Sequence, residues 1–132
     1  MTTPDLPAEG QSDVPGEGTE APFDDVITLS TTTGEDGVVT VTVVGEVDTF
    51  TAPVLRSSLD TQLEQQPREL VIDLSGVQFL GSAGLAVLVE TQKSARSRDV
   101  ELRLVATTRA VTRPLEVTGL IDLFTIVDGS AR

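Results

Sequence analysis

The sequence predicts an α/β fold: one domain on a mixed, mostly parallel sheet of about five strands, with three to four helices and an N-terminal hairpin. Three observations predict it. Strand-like runs alternate with helix-period runs from residue 45 onward, the pattern of parallel strands joined by helical crossovers. The first two strand-like runs are separated only by Gly34-Glu-Asp-Gly37, a turn too short for a crossover and suited to a hairpin. The chain has 132 residues, enough for one core and too few for two ordinary ones.

The elements follow in order. A first strand is expected over 26–32. A second, over 38–44, alternates Val39, Val41 and Val43 with Thr40 and Thr42, the mark of a half-buried strand. Gly45-Glu-Val-Asp48 is expected to end it. Thr49 or Thr51 is placed to cap the next helix, with Pro53 tolerated in its first turn. Leu55, Leu59 and Leu63 mark that helix's buried stripe, and Pro67 closes it. The run 70–74, apolar except for Asp73, suits a central strand covered on both faces. A helix is expected over 83–95, with Leu85, Leu88 and Val89 inward. Val87 is open between a docking surface and the core. Lys93, Arg96 and Arg98 suit the negative pole of that helix. A strand over 100–105 follows, then a helical pattern over 108–118 that Pro114 should break or restart. Gly119 suits a C-cap, and 124–127 supplies a short last strand.

Composition narrows the function. A formal charge of −12 opposes binding to nucleic acid or to anionic membranes. No basic residue precedes Arg56. Residues 1–24 hold four Pro, three Gly and scattered acids, too little apolar matter to offset ordering entropy. They read as a disordered acidic tail or a partner-docking arm, and 25–132 as the folded domain. No apolar run approaches the length of a membrane span, and no secretory signal is expected. With no Cys there is no disulfide or thiolate chemistry, in keeping with a cytoplasmic location. With no His there is no Ser-His-Asp triad and no imidazole base. No cofactor or metal is implied, and an enzyme is not expected. The aromatics are four Phe, with no Tyr or Trp, so base-stacking platforms of the usual kind are absent.

The most informative stretch is Val71 to Val89, read as a buried strand, a tight turn and an apolar helix, with Ser82 where the helix begins. A hydroxyl at such a turn has three readings. It can be an ordinary helix cap. It can be a nucleophile, but Gly81-Ser82-Ala83-Gly84 lacks the nucleophile-elbow spacing, because Leu80 stands two residues before the serine. It can also carry a phosphate, which the free N–H groups and dipole of a helix start tolerate. Two glycines without a Lys-Ser/Thr pair make no phosphate-cradling loop.

Asp73-Leu-Ser-Gly-Val-Gln-Phe-Leu-Gly-Ser-Ala-Gly-Leu85 resembles the signature of STAS domains, specifically the bacterial anti-sigma factor antagonists. Gly45-Glu-Val-Asp48 resembles that family's Gly-Glu-Leu-Asp segment, and Leu115-Glu-Val-Thr-Gly-Leu120 with Phe124 its C-terminal helix and last strand. The resemblance covers about residues 25–128. It implies a protein that binds an anti-sigma factor of serine-kinase type, frees a sigma factor, is phosphorylated on a serine and dissociates. A phosphatase resets the cycle. By motif alignment that serine is Ser82, with Asp48, Gly81, Ala83 and Gly84 on the partner-binding surface. Many members carry Asp before the serine, where this chain has Gly81, and a second Ser where it has Ala83. An alternative within the family is a non-catalytic subunit of a stress-signalling scaffold or lipid-transport complex.

Overall fold

The computed structural model describes residues 27–127; the expected tail over 1–24 lies outside them. Strands β1 (Ile27–Thr33), β2 (Val38–Val47), β3 (Glu69–Leu80), β4 (Glu101–Val105) and β5 (Thr125–Val127) form one sheet in that spatial order. β1 and β2 are an antiparallel hairpin, and every later pair is parallel. Helices α1 (Ala52–Glu64), α2 (Ser82–Ser97) and α3 (Arg109–Val117) make the crossovers, and a 3-10 turn, Leu120–Leu123, leads into β5. The mixed sheet, the hairpin and the three helices agree with expectation.

Period-two alternation sends Val39, Val41 and Val43 of β2, Leu70, Ile72 and Leu74 of β3, and Leu102 and Leu104 of β4 into one core. Leu55, Leu59 and Leu63 of α1 meet them four residues apart and are almost wholly buried, each contributing about 1.5–3 kcal/mol of apolar transfer. Leu88 of α2 and Val111 and Leu115 of α3 complete the cluster. The opposite row of β3 and β4 holds Val71, Asp73, Arg103 and Val105, where Arg103 ion-pairs with Glu69 and Glu101. Val87 belongs to the core and not to the surface.

Three expectations need correction. β2 does not end at residue 44 but runs on through Gly45-Glu-Val47, and β3 runs six residues past Leu74. The pairing of the two strands slips between Thr42 and Val44 and again between Gly45 and Glu46. At each slip β3 carries one residue more than β2, and Gly45, on the β2 side of the second, takes at φ +115 a backbone angle that other residues avoid, so β2 continues through it. Pro114 does not break its helix. It is the sixth of nine residues, so the only helical bond it removes is the one to the Ala110 carbonyl. Val111 and Leu115, both fully buried, hold the helix on each side of it. Gly119 does follow that helix in the left-handed region, at φ +76, with Thr118 as the terminal residue.

Candidate functional site

Because β2 and β3 are parallel, both deliver their C-terminal ends, and the starts of α1 and α2, to one edge of the sheet. The Gly81 N–H donates to the Val47 carbonyl at 2.9 Å and ties the two connections together. Asp48 and Ser82 are thereby brought to the same edge.

The first connection is organised by Asp48. One carboxylate oxygen, Oδ1, accepts the N–H of Phe50 at 2.9 Å and the N–H of Thr51 at 3.0 Å. The Thr51 hydroxyl accepts the Asp48 N–H at 2.9 Å. Its single proton goes to the Glu46 carbonyl at 2.8 Å, so its 3.2 Å approach to Asp48 Oδ1 is secondary. Thr51 stands at the N-cap position, as expected for one of the two threonines, yet its side chain bonds back to β2 and not forward to the helix. Backbone donation from Thr51, opposed by partial desolvation and aided by Phe50, holds the Asp48 carboxyl below its ordinary value of 3.8. The result is a turn closed by its own hydrogen bonds, in which Phe50 is 76% exposed.

The second connection is different. Gly81, in extended backbone, is the N-cap, and its carbonyl accepts the Leu85 N–H at 3.0 Å. Ser82 is therefore the first helical residue and not the cap, and among the described residues no side chain caps this helix start. Ser82 is exposed, and the N–H groups of the first turn lack intrahelical acceptors. Gly84 is buried: a β-carbon there would stand 2.6 Å from Val47 Cγ1 and 2.7 Å from Leu80 Cδ1. Its lack of a side chain lets α2 start directly against the ends of both strands. Ala83 is half-buried and packs on the core. At Gly81 a β-carbon would stand 3.0 Å from Phe79 Cε2, because the Phe79 ring lies over the turn.

Sequence reasoning missed Phe50 and Phe79, which flank this edge. Phe79 lies inside the longer resembling segment and Phe50 just past the shorter one, but only the pairing of β2 with β3 brings the two to one edge. Arg56 of α1 and Glu90 of α2 form an exposed ion pair beside the site. A shallow groove between α2 and the end of α3 is lined by Ser82, Leu85, Val89 and Lys93 on one side and Thr118 and Leu120 on the other. Among the described residues no cluster of acidic side chains is arranged to hold a metal, and no helix is long and apolar enough to cross a membrane.

Residues 30–131 match the model of a family described as the STAS domain. An anti-sigma-F factor antagonist of Mycobacterium tuberculosis is 36% identical over 100 residues, 76% of this chain and 80% of that protein. An anti-sigma-B factor antagonist of Staphylococcus aureus is 32% identical over 99 residues, 75% of this chain and 92% of the relative. Among solved structures, an anti-sigma factor antagonist from Mycobacterium paratuberculosis superposes with a TM-score of 0.73 at 38% identity, covering 83% of this chain and 91% of the other.

Proposed function

The chain belongs to the STAS domain family, and from that membership and the geometry at Ser82 we propose that it is an anti-sigma factor antagonist. It works by binding and not by catalysis. It docks on an anti-sigma factor of serine-kinase type through the edge that carries Asp48, Gly81, Ser82, Ala83 and Gly84, and so releases a sigma factor. The anti-sigma factor then transfers the γ-phosphoryl group of ATP to Ser82. A bond forms between Oγ and phosphorus, the bond to ADP breaks, and the hydroxyl proton is lost. Docking ends, and hydrolysis by a phosphatase restores the hydroxyl.

The observation that carries this reading is the state of Ser82: exposed, first in its helix, and not the residue that caps it. A hydroxyl that capped the helix would lose a structural bond on modification. Ser82 is not in that position. The helix dipole favours a phosphate here by roughly 0.3–1 kcal/mol, so the fold tolerates it. The phosphate adds about −1.5 to −2 charges at neutral pH to the docking edge of a chain already at −12.

The test is reconstitution. Purified serine-kinase-type anti-sigma factors of the source organism are mixed with the chain and ATP, and phosphate is mapped by mass spectrometry. Binding by one of them and modification at Ser82 alone is expected. Modification elsewhere, or binding to none of them, overturns the reading in favour of an assembly component.

A further inference from the structure

We propose that Asp48 is a positioning residue, which holds the exposed Phe50 at the edge that carries Ser82, and that Phe50 and Phe79 form the apolar contact gripped by the anti-sigma factor. The inference rests on the reading of Ser82 as the partner-facing switch. It assigns to Asp48 a role other than a charged contact.

Three observations carry it. The oxygen of Asp48 that bonds at all bonds to its own loop, taking the N–H groups of Phe50 and Thr51 and the edge of the Thr51 hydroxyl. Those bonds fix the backbone at Phe50, a residue 76% exposed. Phe79 is 50% exposed, and it pairs in register with Glu46, two residues before Asp48. Single exposed apolar residues are ordinary. Here two of four Phe residues stand at the adjacent ends of β2 and β3, on the edge that carries Ser82, while Phe124 is buried.

The occupant follows from the position of the Phe79 ring. It lies where a side chain at residue 81 would point, so the acidic group that the resemblance leads one to expect before the serine is replaced by an apolar surface. The matching surface on the anti-sigma factor is an apolar pocket. This also explains why phosphate would end docking: a dianion placed beside an apolar contact must be desolvated when the partner closes over it.

The test uses the full chain and four variants. Amide hydrogen exchange reads the loop, and calorimetric titration with the purified anti-sigma factor that wild type binds reads docking. Asp48→Ala should lose protection at the Phe50 and Thr51 amides and lose affinity. Asp48→Asn keeps an acceptor oxygen without the charge, and should rescue both. Phe50→Ala and Phe79→Ala should each weaken binding about tenfold or more, as central aromatic contacts do, with the Thr51 amide still protected. An Asp48→Asn protein whose loop stays protected but which binds as poorly as Asp48→Ala would make Asp48 a charge contact and overturn the proposal. Phe variants that bind like wild type would overturn it as well. If no anti-sigma factor binds wild type, the functional reading falls and takes the docking role of the rings with it, while hydrogen exchange still decides whether Asp48 clasps the loop.

Discussion

Two helices start side by side at one edge of the sheet, and their starts are built on opposite principles. At α1 the chain spends two side chains, Asp48 and Thr51, on satisfying the turn that leads in. At α2, among the described residues, it spends none: Gly81 caps, Ser82 follows as the first helical residue, and Gly84 removes the one side chain that would keep the helix away from the strands. The first start is a frame closed by its own side chains. The second presents first-turn N–H groups and an exposed hydroxyl. The difference teaches that the exposed serine is not what caps its helix, which suits a group to be modified at little cost to the fold.

Four substitutions or conditions sharpen this contrast, in descending order of expected effect. Gly84→Val should be the most damaging. Its β-carbon alone would overlap Val47 and Leu80, and overpacking of this kind costs about 1–3 kcal/mol or more. Urea denaturation would measure it, and an unchanged midpoint would mean that the close approach of α2 to the strands is not required. Asp48→Ala should lower the midpoint clearly, because the N–H groups of Phe50 and Thr51 lose their acceptor, while Asp48→Asn should recover most of the loss.

Acid should act on the same turn. The folded carboxyl titrates below 3.8, so in the window beneath that value the folded state binds fewer protons than the unfolded one. The contribution of Asp48 is therefore complete above the ordinary carboxylate value and is lost as pH falls through the lowered one. Compared with Asp48→Asn, wild type should lose stability more steeply on acidification, read as the difference between two denaturation series. Parallel series would show that the carboxylate is not held by the turn. Ser82→Ala should matter least for the fold, within about 0.5 kcal/mol, where loss of a true cap costs about 1 kcal/mol. A loss of cap size would show that Ser82 serves the helix after all.

The same two starts show how much was legible in the sequence. The order of strands and helices, the hairpin, the leucine stripe of α1 and the position of Ser82 at a helix start were all readable, because each rests on local periodicity or turn chemistry. The lengths of β2 and β3 were not. Gly45-Glu-Val-Asp48 read as a stop, whereas β2 runs on through Gly45, and across the sheet Gly76 admits the close approach of β2: a β-carbon there would stand 2.9 Å from Val44 Cγ2. Whether a glycine ends a strand or bends it is decided by its neighbour across the sheet, which local sequence does not reveal. Pro114 misled for a related reason, since the burial of Val111 and Leu115 outweighs one lost bond. The site was half legible. Motif resemblance reached Asp48 and Ser82. The rings of Phe50 and Phe79 emerge only once parallel pairing brings the ends of β2 and β3 together. The role of Asp48 in that turn likewise depends on which oxygen bonds to which N–H.

One comparison decides whether the bare helix start is a switch. The chain would be prepared with Ser82 unmodified and with Ser82 fully phosphorylated, both checked for the same thermal midpoint. The affinity of each for the same purified serine-kinase-type anti-sigma factor would then be measured by titration. Tight binding by the unmodified form, weakened about tenfold or more by a phosphate that leaves the fold intact, is the predicted result. Equal affinity of the two forms would contradict it and leave Ser82 as only the first residue of a helix.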